Sequence, residues 1–417
     1  MRACIRRGSR QIGGTCIELE SQGRRIVLDV GLPLDTDPEP GLLPPVPGLL
    51  AVDESLLGVF ISHAHQDHFG LLVYAAARPR VFIGEAAARM LRAAGLFWPG
   101  AKGLGESEPL RDREAIEIGP FRVTPYLVDH SAYDAYALLV EADGERLFYS
   151  GDLRAHGYKG RLFGRLLREG IPDLDVLVLE GTTLGRSEKE AYPTEAELAQ
   201  SMERIFRDTS GLVLVCTSGM NIDRLVTIYK AARRAGRDLI LDMYAAGVLR
   251  ATGNLRVPQA EWQGVRVFLP WSQKQAIKRA GAFEFARSFS ARRVYPEDLA
   301  VTASNSVMLF RASMIRDLED ADCLDGAALI YSLWRGYLDR EQQRPLLEWL
   351  DRRSIPRFDC HTSGHAAPRD LRRLAEALKP RVVVPVHSEV PDRYLEVFDN
   401  AALKRDGEWW LVGGLGS

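Results

Sequence analysis

A chain of 417 residues is longer than one ordinary hydrophobic core holds, so two domains, or one large domain carrying an insertion, is expected. Hydrophobic residues at 46% and charged residues at 26% exclude bulk disorder, and a net charge of −2 excludes a whole-molecule field that gathers polyanions. A nucleic acid would have to be held by local basic patches.

The first stretch reads as short strands broken by turn residues: TCIELE, RRIVLDVG, LLGVFISH, PRVFIG, FRVTPYLVDH, YALLVEADGERLFYSGD and LDVLVLEG. GEAAARMLRAAG reads as a helix between strands, and the proline-rich LPLDTDPEPGLLPPVPGLL as an ordered surface loop at the rim of a site. After residue 190, TEAELAQSMERIFRD, RLVTIYKAARRAG and QKQAIKRAGAFEFARSF carry helical spacing, while GLVLVCTSG, RDLILDMY and ALIYSL read as buried strands. That alternation predicts a parallel α/β unit. SIPRFDCHTSGHA and PRVVVPVHSE, flanking the helix LRRLAEALKP, return to the earlier style, so an insertion is expected rather than two domains in series.

Cys4, Cys16, Cys216, Cys323 and Cys360 lack CxxC spacing and read as reduced, packed thiols. No window reaches the ~18 unbroken apolar residues of a membrane span, and MRACIRRGSR has no apolar stretch behind its charges. The expectation is a cytoplasmic protein.

The densest chemical signal is ISHAHQDHFG, which ends the strand LLGVFIS and precedes the expected helix FGLLVYAAA. His63 and His65, two apart in extended backbone, face one side, and Asp67 and His68 follow on the turn. The spacing supports two adjacent metal sites. Imidazole plus carboxylate suits zinc best, with manganese or iron as alternatives. His130, Asp152 and His387 each end a predicted strand, where layered α/β folds collect their chemistry.

Together these residues resemble the metallo-β-lactamase superfamily, and within it the β-CASP nuclease branch that includes ribonuclease J. HAHQDH matches its HxHxDH signature, Asp29 in IVLDVG its buttressing aspartate, and His130 and Asp152 its next two motifs. Glu180 in LVLEGTT, His365 in TSGHA and His387 in PVHSE resemble the three branch-specific motifs, the last reading HSE where relatives more often show HGE. The resemblance implies an αββα sandwich over 1–186 and 361–417, with a β-CASP α/β domain inserted at 187–360. Because the chain stops about 30 residues after His387, the separate C-terminal domain of ribonuclease J is expected to be missing, and dimer formation and processivity are not carried over.

It further implies two zinc ions, one on His63, His65 and His130, the other on Asp67, His68 and His387, with Asp152 bridging. Such a pair activates a bridging hydroxide for attack on a phosphodiester. His365 is the expected proton donor, oriented by Glu180, and Asp67 is counted with the catalytic group. Ser218, Ser363 and Gly364 are weaker candidates for substrate phosphate. The basic stretches RAHGYKGRLFGRLLR, KAARRAGR and RDLRRLAEALKPR are candidates for a nucleic-acid groove, and Tyr133, Tyr158 and Trp334 for base stacking, with Trp334 more simply a core residue. His156 and His361 read as residues beside the site. The expected activity is hydrolysis of single-stranded RNA, from an end or internally, with a DNA nuclease or a small-molecule hydrolase such as a lactonase as alternatives. A homodimer is compatible with this reading.

Overall fold

The structure, a computed structural model, describes residues 1–76, 78–101, 104–186 and 192–415. They fall into two compact units, Met1–Arg92 with Gly100–Tyr192 and Gly364–Ser417, and Ala93–Pro99 with Pro193–Ser363. The expected boundary at 186/187 touches residues 187–191, which lie outside the described ones, and that at 360/361 falls just before the division at Ser363 and Gly364.

In the first unit a seven-stranded sheet runs in the order Trp409–Leu411, Arg2–Arg7, Cys16–Ser21, Arg24–Leu28, Leu56–Phe60, Val81–Gly84, Glu108–Leu110. A six-stranded sheet faces it in the order Val382–Val386, Val176–Glu180, Glu145–Tyr149, Ala135–Ala142, Phe121–Val128, Ile116–Ile118. Alternate residues meet between them: Ile17, Leu19, Ile26, Leu28, Phe60 and Phe82 from one sheet, and Val123, Leu138, Val140, Leu147, Val176 and Val384 from the other. The other residues of the second sheet, such as Leu139, Phe148, Leu177 and Val383, pack against helices Gly160–Glu169 and Pro368–Leu378. A one-residue slip would exchange these two faces, so burial on both sides fixes the register.

YALLVEADGERLFYSGD folds as two antiparallel strands, because Asp143 and Gly144 both adopt positive φ, +54° and +77°, as a two-residue hairpin turn requires. The expected helix FGLLVYAAA does not form. The α-helical turn is confined to Gln66–Phe69 and a single 3-10 turn follows at Leu72–Tyr74; between them Val30, Leu32 and Leu71 N–H groups bond across this segment and residues 30–32, which interrupts the helix.

The second unit is built on an all-parallel seven-stranded sheet: Arg293–Val294, Val265–Phe268, Asp238–Asp242, Ser306–Phe310, Val213–Cys216, Ala328–Tyr331, Arg357–Asp359. Its helix Glu195–Asp208 starts at a reciprocal Thr194–Glu197 capping box. QKQAIKRAGAFEFARSF splits into Trp271–Ala280 and Phe283–Arg287, since Gly281 takes the left-handed conformation that stops the first helix. Trp334 corrects the core expectation: it is 48% exposed and meets Tyr337 edge-on.

No helix among the described residues is long and apolar enough to cross a membrane. Of the cysteines, four are buried and Cys216 is partly so.

Candidate metal centre

Strand ends deliver the site. Leu56–Phe60 leads into Ser62, His63 and His65; Phe121–Val128 into His130; Glu145–Tyr149 into Asp152; and Val382–Val386 into His387. Asp67 and His68 stand on the one-turn helix Gln66–Phe69. Thr15 N–H donates to the Asp67 carbonyl and Val30 N–H to that of His68, so three loops are laced together beneath these ligand-type residues. At Gly31 a Cβ would lie 1.8 Å from the Asp67 carbonyl oxygen, so only glycine permits this approach. Leu34, in the proline-rich loop, and Asp67 both border Gly13, which puts part of that loop beside Asp67.

Two groups of side chains converge. His63 Nε2 and His130 Nε2 each lie 3.2 Å from His65 Nδ1. A tetrahedral ion with Zn–N bonds of 2.0–2.1 Å separates its nitrogen ligands by about 3.3 Å. Beside them, one ligand atom each of Asp67, His68, Asp152 and His387 lies within 4.8 Å of the others. Asp152 Oδ2 links the groups, at 3.6 Å from His63 Nε2 and 3.1 Å from His68 Nε2. His68 Nε2, His387 Nε2 and Asp152 Oδ1 are buried without a hydrogen-bond partner, the 3.1 Å approach lying off a hydrogen-bond direction. Buried lone pairs aimed at a common point fit a cation.

Titration behaviour points the same way at four of the five imidazoles, His68 being the exception. Burial, reinforced by the neighbouring imidazoles, pushes His63 and His130 well below the usual histidine range, and burial lowers His65 and His387. Neutral imidazole is the ligating form. At His68 burial is outweighed by Asp152 and Asp29, which hold its proton well above the ordinary range.

Asp29 organises the base of the site. Its Oδ1 accepts from Ser62 N–H at 2.7 Å, while Oδ2 accepts from Ser62 Oγ, Tyr149 OH and His68 Nδ1 at 2.7–2.8 Å. The last bond fixes the tautomer that leaves His68 Nε2 facing Asp152. His130 is set likewise, its Nδ1 donating to the Gly364 carbonyl at 2.6 Å, and Thr15 Oγ1 lies 2.8 Å from His387 Nδ1. Asp29 and His387 both hold positive φ, +61° and +54°, a local strain of the kind that surrounding structure must impose. Asp129, next to His130, is buried against Arg154.

Glu180 ends Val176–Glu180 and takes N–H groups from Leu153 and Thr182. His365 Nδ1 lies 3.1 Å from Glu180 Oε2 and 3.8 Å from Asp152 Oδ2. Burial would lower His365, but Glu180 and then Asp152 overcome it and raise it to about 9.

Seven expected ligand-type residues, together with Asp29, Glu180 and His365, are therefore neighbours in the first unit. Ser62, Thr15, Asp129 and Tyr149 were not expected, and Arg154 was expected only as part of a basic stretch; the adjacency of Ser62 and Asp129 to the histidines was the only available signal. Ser218 and Ser363 belong to the second unit, where Ser218 Oγ accepts from Met220 N–H. Of the basic stretches, Arg154 and Arg237 are buried and hydrogen-bonded, so neither presents a free charge. Tyr133 packs beneath the Lys159 ammonium, and His156 against Tyr192.

A beta-lactamase superfamily domain model matches residues 24–217, and a model of the Zn-dependent metallo-hydrolase RNA specificity domain matches 357–396. The chain is 22% identical over 386 residues to ribonuclease J of Sinorhizobium meliloti, covering 87% of this chain and 64% of that one. Against ribonuclease J of Mycobacterium tuberculosis it is 24% identical over 410 residues, covering 91% and 67%. The chain thus spans somewhat under two thirds of the Sinorhizobium protein's length. A crystal structure of a protein of unknown function from Enterococcus faecalis V583 superposes with a TM-score of 0.80 at 22% identity, over 98% of this chain and 99% of that one. With its HAHQDH ligand loop, its later TSGHA and PVHSE motifs and these likenesses along most of its length, the chain carries a beta-lactamase superfamily domain and is similar to the ribonuclease J-like β-CASP branch.

Proposed function

We propose that the chain is a metal-dependent ribonuclease that hydrolyses phosphodiester bonds of single-stranded RNA. The observation that carries this is the convergence of seven imidazole and carboxylate groups, with the His365–Glu180 pair 3.8 Å from the shared Asp152. His63, His65 and His130 would hold one ion, Asp67, His68 and His387 the other, with Asp152 common to both. The mixed nitrogen and oxygen set favours zinc, with manganese as the alternative. Two such ions supply a water of lowered pKa and positive charge against the phosphate oxygens.

The side chains do the rest. His365, protonated and held by Glu180, gives its proton to the leaving ribose oxygen. Asp67, whose side chain is 19% exposed, can take a proton from the attacking water. Gly364, whose carbonyl accepts from His130 Nδ1, is with Ser218 and Ser363 a candidate for phosphate contact. Residues 193–363 correspond to the inserted β-CASP domain. The likeness to relatives named ribonuclease J supports RNA rather than DNA as the substrate.

The test is to give zinc-loaded protein 5′-monophosphorylated single-stranded RNA, the matching DNA and a lactone. RNA should be cleaved, and His365→Ala should keep its metal while losing about 10²–10⁴ in rate. Product lengths distinguish attack from an end from internal cleavage. Lactone turnover with intact RNA would overturn the proposal.

A further inference from the structure

Strand Arg357–Asp359 forms one edge of the parallel sheet in the second unit, and all three of its residues are exposed, whereas the neighbouring Ala328–Tyr331 is wholly buried. Phe358, 40% exposed, is a large apolar side chain on this open edge. The parallel ladder dictates which backbone groups are free. Leu329 N–H donates to the Pro356 carbonyl and Cys360 N–H donates to the Tyr331 carbonyl. Pro356, Phe358 and Cys360 therefore turn their polar backbone groups toward the sheet, and Arg357 and Asp359 turn theirs outward.

We propose that this edge pairs antiparallel with the same edge of a second copy of the chain, about a two-fold axis through Phe358. In that register Arg357 stands opposite Asp359 of the other copy, and Asp359 opposite its Arg357. Both are hydrogen-bonded pairs, since the outward N–H and C=O of each residue meet those of the residue opposite. The two charges on each strand, 3.5 Å apart within one chain, thereby become complementary across the axis. The Phe358 side chains lie opposite one another on the other face, an aromatic pair that removes the exposed ring from water. An isologous contact of this kind closes after two copies, which a head-to-tail pairing of the same edge does not. A second copy is the partner chosen because RFD is self-complementary about its centre.

The test uses the whole protein and charge reversal, measured by sedimentation across a range of concentrations. Arg357→Asp sets two carboxylates opposite each other and Asp359→Arg two guanidinium groups, so each single variant should raise the dimer dissociation constant at least about tenfold. The double variant carrying both reversals restores complementarity across the axis and should recover the dimer. A reversal of exposed side chains leaves the sheet interior intact, and circular dichroism with an unchanged unfolding midpoint checks this for each variant. A wild-type protein that stays monomeric at all concentrations, or a dimer indifferent to the single reversals, overturns the inference. So does a double variant no tighter than the singles.

Discussion

Replacing Asp29 by Asn preserves the shape of the side chain and removes an acceptor-only carboxylate from beneath the metal centre. Asp29 is fully buried and takes four hydrogen bonds, one on Oδ1 and three on Oδ2. An asparagine must turn its NH2 one way or the other. If the amide oxygen replaces Oδ2, the NH2 confronts Ser62 N–H at 2.7 Å and a buried donor loses its acceptor. If it is turned round, the NH2 meets His68 Nδ1, which must become an acceptor, and the proton moves to Nε2, the atom aimed at Asp152. Hydrogen bonds to a charged group contribute about 1.5–3 kcal/mol, and an unsatisfied buried donor costs about 1–3 kcal/mol. The metal-free protein should lose about 2–4 kcal/mol in chemical denaturation. Metal affinity in the Asp67–His68–Asp152–His387 group should fall about 10–100-fold, as when a ligand's supporting partner is removed. Calorimetric zinc titration would show one of two binding steps weakened and the His63–His65–His130 step largely kept. The exposed Asp37→Asn serves as control. An unchanged denaturation midpoint with both binding steps intact would refute the assignment of Asp29 as the group that sets His68.

Gly31→Ala puts a methyl group into the Asp67 carbonyl, so the laced loops must separate; a variant with full metal content and wild-type melting temperature would show that they do not need that approach. Glu180→Gln removes the main partner that raises His365, whose proton is held up to about 9 and is lost as pH rises through that value. The alkaline limb of kcat should therefore sit lower in the variant; cations near Asp152 shift both proteins alike, and an identical limb would remove Glu180 from the role. Phe60→Ala empties one half of the stacked Phe60–Phe82 pair, whose rings lie 4.4 Å apart in the core beneath the ligand loop. It should cost about 3–5 kcal/mol, read from urea unfolding, and a loss below about 1 kcal/mol would mean the pair is not a load on the fold.

What was legible in the sequence was whatever is local. HAHQDH announces itself because four ligand-type residues sit within six positions, and the strand runs beside it because apolar residues alternate with turn residues. Ser62, Thr15 and Tyr149 were illegible for the opposite reason. They are common residues whose meaning arises from a partner distant in the chain, as when Tyr149 reaches Asp29 or Thr15 reaches His387. The left-handed backbone at Asp29 and His387 leaves no trace in composition. The helix expected over FGLLVYAAA failed because backbone pairing with residues 30–32 competes with helical bonding, and spacing alone cannot weigh those two.

Strand Val176–Glu180 pairs on one side with Glu145–Tyr149, close in the chain, and on the other with Val382–Val386, which is synthesised much later. At a translation rate of 5–20 residues per second, its second edge stays open for about ten seconds or longer on the ribosome. In that interval VLVLE is an unpaired apolar strand, the kind of edge that recruits other chains. The intervening residues have their own core and can fold before Val382–Val386 is made, so the second unit can be completed while the first is still unfinished. Slowing translation within 193–381 should therefore lengthen the aggregation-prone window, whereas slowing it before residue 176 should not.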